Sequence, residues 1–114
     1  MPKYAALIYR DEASFPDPGT PEFRELRKEW DGFKPPEGVL KQGIGLKEST
    51  TATVVKVREG KTVTTDGPFA ETREQLGGVF ILECADLDEA ILWASRIPDA
   101  SRGGCIELRP LFGG

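Results

Sequence analysis

The sequence predicts a single α+β domain over residues 1–114, with a ferredoxin-like split βαβ arrangement and an antiparallel sheet. Short runs of β-branched and aromatic residues are typical of strands. Two longer segments repeat apolar residues at helical spacing. The segments follow the order strand, helix, strand hairpin, strand, helix, strand, and this order predicts the fold.

The first part of the chain predicts a strand and then a helix. Residues 3–9 are apolar and aromatic, as expected of a strand. Thr20 is placed to cap a helix that has Pro21 at its first position and ends before Pro35-Pro36. The stripe that this helix should bury consists of Phe23, Leu26, Trp30 and Phe33. Residues 38–46 fit either a paired strand or irregular cover, because apolar residues alternate there with glycines.

A hairpin is predicted in the middle of the chain. Residues 52–58 and 61–65 are β-branched runs separated by Glu59-Gly60. The Asp66-Gly67-Pro68 turn closes this hairpin, and Gly77-Gly78 opens a further strand over residues 79–84.

The last part of the chain predicts a second helix and a final strand. Asp86 caps the helix, and Glu89 is placed to return the hydrogen bond as in a capping box. The helix ends at Pro98, and residues 105–109 form the final strand. The apolar stripe of this helix consists of Leu87, Ala90, Ile91, Ala94 and Ile97.

The strands require more burial than two helices provide. Two amphipathic helices cover one face of a four- or five-stranded sheet. Residues 5–9 and 79–82 are apolar at both parities, so both of their faces should be buried. A bare second face would be a large apolar patch, which soluble monomers avoid. We therefore expect a homodimer in which the sheets of two copies pack face to face.

Composition excludes several classes of function. The chain has no histidine, which excludes His-based general catalysis, Ser-His and Cys-His nucleophile pairs, and nearly all zinc sites built from His and Cys. The formal net charge of -4 argues against a nucleic-acid partner, because phosphate contacts require a clustered basic surface. No P-loop or Rossmann fingerprint occurs, and the sequence predicts neither a cofactor nor a metal.

Apolar patterning predicts the location of the protein. The apolar runs at residues 5–9 and 79–82 are far shorter than the ~20 residues that cross a bilayer. The start of the chain lacks the pattern of a signal peptide, so we expect a cytoplasmic protein with no membrane partner. Cys84 and Cys105 lie in apolar stretches, which favours small buried hydrophobes in a reducing compartment over a disulfide.

Several separated blocks agree in order and spacing with a known family. They are Thr65-Asp66-Gly67-Pro68-Phe69-Ala70-Glu71, Glu74-Gln75-Leu76-Gly77-Gly78, Asp86-Leu87-Asp88-Glu89-Ala90, Ile97-Pro98 and Ile106-Glu107-Leu108-Arg109-Pro110. With these blocks the chain resembles the YCII-related family, specifically its DGPF-domain branch, over roughly residues 3–111. The resemblance implies a ferredoxin-like fold that dimerises as an α+β barrel.

The resemblance also implies a range of functions. Some YCII-related proteins carry a His-Asp pair in a cleft, and this pair cannot be transferred to a chain without histidine. Related dimeric α+β barrels include isomerases, lyases and oxygenases that act on aromatic or quinone-like compounds. DGPF proteins often occur alongside extracytoplasmic-function sigma factors, which implies a regulatory or accessory role.

Four residues are candidates for a site. Asp66 can act as a general base, bind a polar ligand, or hold the turn through backbone N–H groups. Phe69 can wall a pocket or anchor the loop on the core. Glu71, together with Glu74, can join Asp66 in a carboxylate cluster suited to a divalent cation, or be a solvated side chain of an acidic loop, which the intervening Arg73 favours. Arg109 can bind a substrate carboxylate, or pair with an acid across the sheet or a dimer interface.

These observations leave three functional hypotheses. The first is a small-molecule-binding or accessory homodimer, with a small anionic or aromatic ligand. The second is an isomerase or lyase that uses Asp66 as base and Arg109 to orient an anionic substrate. The third is an interaction module that serves a sigma-factor-type regulator. The intact fold signals, together with the missing histidine, favour the first hypothesis.

Overall fold

The computed structural model describes residues 1–113, and it confirms the mixed α+β, ferredoxin-like fold. A four-stranded antiparallel sheet has the strand order β2-β5-β1-β6, and β3 and β4 form a separate two-stranded sheet. In chain order the elements are β1 (Lys3–Asp11), α1 (Pro21–Asp31), β2 (Leu40–Gly45), β3 (Thr53–Arg58), β4 (Lys61–Asp66), β5 (Glu74–Glu83), α2 (Leu87–Ser95) and β6 (Cys105–Pro110). Short 3-10 turns span Glu12–Ser14, Ser49–Thr51 and Pro98–Ser101.

Both predicted helix starts are confirmed by their caps. The Thr20 hydroxyl accepts a hydrogen bond from the Phe23 N–H at 3.2 Å. The Asp86 carboxylate accepts one from the Glu89 N–H at 2.9 Å. The Glu89 side chain bonds back to the N–H of Ala85, at 2.8 Å, so the reciprocal bond falls one residue before the position that a capping box predicts.

The core lies between the two helices and one face of the large sheet. Burial alternates along β1, where Tyr4, Ala6 and Ile8 point into the core. Leu82 and Cys84 join them from β5 and the residue that follows it, and both are fully buried. Two members of the predicted stripe, Trp30 of α1 and Phe33 just beyond it, pack here against the Phe80 ring of β5. Phe23 instead contacts the Phe15 ring outside this cluster.

The opposite face of the large sheet forms a surface that we call the open face. It is defined by Ala5, Leu7, Tyr9, Val79 and Ile81, which lie between the core-facing residues on β1 and β5. Both helices pack on the other side of the sheet. The two-sided apolar character predicted for these strands therefore corresponds to one face covered by helices and one apolar face that the single chain covers only in part.

Two strands differ from the sequence-based bounds. Strand β5 begins at Glu74, whereas the sequence predicted residues 79–84, because its polar first residues pair with the end of β1. Residues 38–46 contain the edge strand β2, which pairs with β5. A Cβ atom at Gly78 would lie 2.8 Å from the Ile44 carbonyl oxygen, so the close pairing of β2 with β5 at this position requires glycine.

The predicted hairpin forms, but it does not join the large sheet. We call residues 53–66 the arm, since β3 and β4 pair only with each other. The turn at its tip has positive φ at both Glu59 and Gly60, as a two-residue hairpin turn requires. Cys84 and Cys105 are both free, and Cys105 is exposed, contrary to the prediction that both are buried. No helix within residues 1–113 is long and apolar enough to cross a membrane.

Candidate functional site

A pocket of about 530 Å³ lies at one end of the open face, where Tyr9 of β1 pairs with Leu76 of β5. We call it the sheet-end pocket. Two loops complete it, one over residues 46–52 and the other over residues 67–73, on either side of the arm. Its apolar walls are formed by Tyr9, Leu46, Ala52, Pro68, Phe69, Ala70 and Leu76. Its polar lining consists of Lys47, Glu48, Ser49, Thr51, Thr72, Glu74 and Gln75.

The turn after β4 places Phe69 in the pocket wall. Gly67 has φ +97°, which glycine adopts without strain, and its N–H donates to the Ala52 carbonyl at 2.8 Å. This bond joins the two pocket loops at the root of the arm. The Phe69 ring lines the pocket and is nevertheless 83% exposed. An aromatic ring in that position offers apolar area to a ligand or to another chain.

The Gln75 side chain holds the next part of this loop in shape. Its Nε2 donates to the Ala70 carbonyl at 2.7 Å and to the Thr72 carbonyl at 3.0 Å. The Thr72 hydroxyl donates to the Glu74 carbonyl at 2.6 Å. These bonds satisfy backbone groups that have no partner in a sheet ladder, so the loop has a defined conformation beside the pocket.

Asp11 anchors the same loop to the end of β1. The Arg73 Nε donates to the Asp11 carboxylate at 3.0 Å. The Asp11 side chain is 3% exposed, whereas the Arg73 side chain is 82% exposed. This hydrogen bond, with the positive charge of Arg73, lowers the pKa of Asp11 although burial opposes the shift. The second carboxylate oxygen is buried without a hydrogen-bond partner among residues 1–113. The loop therefore depends on a single charged contact at this point.

Glu12, the next residue, anchors the other pocket loop. Its carboxylate accepts the Ser49 N–H at 2.7 Å and the Ser49 hydroxyl at 2.5 Å. Both bonds end on an ionised acceptor, so they are stronger than hydrogen bonds between neutral groups. Consecutive acids at the end of one strand thus fix both loops that complete the sheet-end pocket.

The composition of the pocket defines its chemistry. Its walls are mostly apolar, with the phenol of Tyr9 and the amide of Gln75 as neutral polar groups. Charges of both signs, from Lys47, Glu48 and Glu74, also line it. Such a site suits a small apolar or aromatic molecule whose polar substituents are oriented by a few hydrogen bonds. Within residues 1–113, no three Cys, Asp or Glu side chains group in a way that could hold a metal ion.

The predicted site residues do not all meet at this pocket. Phe69 lines it, whereas Asp66 is exposed at the end of β4 and is absent from the lining. Glu71 is exposed and also outside the lining. Arg109 is exposed on the edge strand β6, where its Nε donates to the Glu107 carboxylate at 2.5 Å. The roles predicted for these residues stay predictions.

The supporting residues Asp11 and Glu12 were missed by sequence reasoning, because they lie just beyond residues 3–9, the predicted first strand. Their partners, Arg73 and Ser49, lie 62 and 37 residues further along the chain. No local pattern links residues so far apart. The available signal was a pair of consecutive acids directly after a buried strand, at the strand end where loops gather.

Comparison with known proteins adds a family to this geometry. Residues 3–113 match the YCII-related domain. A protein of Rhizobium meliloti (strain 1021), called "Uncharacterized protein R00369", is 34% identical over 112 residues, which cover 95% of this chain and 90% of the relative. The match extends over all the strands and helices described above.

Proposed function

Because the chain belongs to the YCII-related family, we propose that it is a homodimeric small-molecule-binding protein of the DGPF-domain branch. The observation that carries this proposal is the apolar sheet-end pocket, which opens beside a sheet face that the chain's own helices leave uncovered. Its volume of about 530 Å³ falls in the range of small-molecule sites, about 300–1,000 Å³. The ligand is a small, mainly apolar or aromatic compound.

The lining supports a ligand of this class over a strongly charged one. Apolar groups from Tyr9, Leu46, Phe69 and Leu76 form most of the wall. Binding is most favourable when an apolar ligand removes these groups from water. The cation of Lys47 stands beside acids, so an anionic substituent is accommodated at the rim of the pocket. Arg109, the other candidate for an anion, already bonds to Glu107.

The open face supports the dimer. Its residues on β1 and β5 are apolar and only partly buried in the single chain. Packing two such faces about a twofold axis buries the same patch on both copies. The sheet-end pocket then lies at the border of the interface, where the second copy excludes water from the ligand.

The enzyme hypothesis is weaker on this geometry. Asp66 is exposed and lies outside the pocket lining, so a ligand in the pocket is not placed for proton transfer to it. Asp66→Asn should therefore leave ligand affinity unchanged. Loss of a measured turnover in that variant, with fold and dimer intact, would favour the isomerase or lyase instead.

Native mass spectrometry of freshly purified protein tests the proposal directly. It should report a dimer mass with a retained organic ligand. A monomer with nothing bound, together with no saturable binding of an apolar fluorescent dye, would contradict it. A stoichiometric protein partner in place of a small molecule would support the sigma-factor-type interaction module.

A pair of phenylalanine variants then locates the ligand. Phe69→Ala should weaken binding of the retained ligand, or of the dye, by about three- to tenfold, the value of one aromatic contact. Phe112→Ala is the matched control, because Phe112 is fully exposed and outside the pocket. Equal affinities in the two variants would place the ligand elsewhere.

A further inference from the structure

The arm lacks the support that a β-hairpin normally has. It is a two-stranded sheet whose strands pair only with each other. An isolated hairpin of this kind is at best marginally stable in water, so it requires packing against another surface. Val55 and Val57 nevertheless stand 61% and 60% exposed on it. Such side chains favour burial by a partner.

The two faces of the arm have different chemistry. The pairs Val55–Thr64 and Val57–Thr62 lie on one side, which we call the valine face, and the pair Thr53–Asp66 lies on the same side at the root of the arm. The other side carries all three cations of the arm, Lys56, Arg58 and Lys61, along with Val54, Val63 and Thr65. The cations thus identify the solvated side of the arm, and the valine face is the side available for contact with a partner.

The shape of the chain shows how much surface is available for a partner. A compact protein of 12.5 kDa exposes about 6,200 Å², whereas this chain exposes 7857 Å². The radius of gyration is 16.1 Å, against about 13 Å for a compact domain of this length. The extents of 47 × 42 × 18 Å describe a flat molecule, and the strands of the arm form no pairing with the large sheet.

The excess area has the size of an interface. It amounts to about 1,700 Å² per chain, which is more than the ~800 Å² that each partner contributes to a standard complex. A second copy is the occupant that fits an area of this size, because a twofold interface buries the same patch on both copies and can include both the arm and the open face of each.

We propose that the arm is a dimerisation arm, whose valine face packs against a second copy of this chain. The inference rests on the proposed function. It extends that function, because the sheet-end pocket is then complete only when a second copy holds the arm. The two ends of the arm join the pocket wall directly, at Ala52 and at Gly67-Pro68. A partner that holds the arm also holds the Phe69 side of the pocket.

Charge placed on the two faces of the arm tests the proposal. Val55→Lys/Val57→Lys should raise the dimer dissociation constant, measured by analytical ultracentrifugation, by at least about tenfold. Val63→Lys is the matched control, because Val63 lies on the cationic face at 48% exposure, and its dimer should be unchanged. Thr62→Lys/Thr64→Lys places charge on the valine face from β4. This variant should weaken the dimer in the same way, and it replaces the double valine variant if that variant does not fold.

The outcomes separate this inference from the proposed function. Unchanged dimerisation of both valine-face variants, or a monomeric wild type, would overturn the arm proposal. An equal loss in Val63→Lys would also overturn it, since the effect would not belong to the valine face. Titration of the apolar dye in the same samples reports the pocket independently. Saturable binding that Phe69→Ala weakens would preserve the pocket even if the arm proposal fails.

Discussion

Removal of the Glu12 carboxylate should release the 46–52 loop from the sheet-end pocket. Glu12 accepts two hydrogen bonds from Ser49, and bonds to a charged acceptor contribute about 1.5–3 kcal/mol each in protected sites. Both residues are only half-buried, so water replaces part of this energy. We expect Glu12→Ala to lower the local free energy of loop opening by about 2 kcal/mol, which is roughly thirtyfold in the opening equilibrium.

Two milder variants should produce smaller increases in loop opening. Glu12→Gln keeps a carbonyl that accepts the Ser49 N–H but loses the charge, and Ser49→Ala removes only the hydroxyl bond. Each should increase loop opening about fivefold, or about 1 kcal/mol. Amide hydrogen exchange of Ser49 measures the effect for the wild type, Glu12→Ala and Glu12→Gln, and exchange of neighbouring loop amides measures it for Ser49→Ala.

The exchange rates of the 46–52 amides decide whether Glu12 holds this loop. If Glu12→Ala leaves the protection of the 46–52 amides unchanged, then the carboxylate does not hold the loop. The dye affinity of the pocket should fall in the same order as the loop protection. Global unfolding by urea should change less than loop exchange, since the contacts lie at the edge of the core.

Two further predictions concern stability. Leu82→Ala should destabilise the fold by about 2–5 kcal/mol in urea unfolding, because Leu82 is fully buried, whereas Leu87→Ala, at a half-exposed position, should cost much less; similar costs would contradict the core assignment. Asp11→Asn should destabilise the protein at pH 7, and this difference should shrink as the pH falls below the ordinary carboxyl pKa of 3.8 and through the lowered pKa of folded Asp11. A difference that stays constant from pH 7 to pH 2 would show that the ionised carboxylate is not the stabilising species.

Much of the fold follows from local pattern. Thr20 and Asp86 identify helix starts because a cap and its N–H partner are three residues apart in the chain. The stripe that includes Leu26 and Trp30 identifies the core side of α1 in the same way. Such signals are complete within a few residues, so a single sequence contains them.

What the sequence did not show depends on contacts between distant residues. The start of β5 at Glu74 is polar, and only its pairing with the end of β1 makes it a strand. The separation of the arm from the large sheet is also invisible locally, because Val55 and Val57 alternate with polar residues like any half-buried strand. The contacts of Asp11 with Arg73 and of Glu12 with Ser49 also join residues that are distant in the chain.

The segment from Asp66 to Phe69 shows how one motif divides between two tasks. Asp66 pairs with Thr53 as the last residue of the arm, and Gly67 bonds to Ala52 at its root. Two residues later, Phe69 is already in the pocket wall. Only Gly67 and Pro68 separate the arm from Phe69 along the chain. If a second copy fixes the arm, the same contact restricts Phe69, so ligand affinity and dimer stability should be thermodynamically linked, each strengthening the other by the same factor.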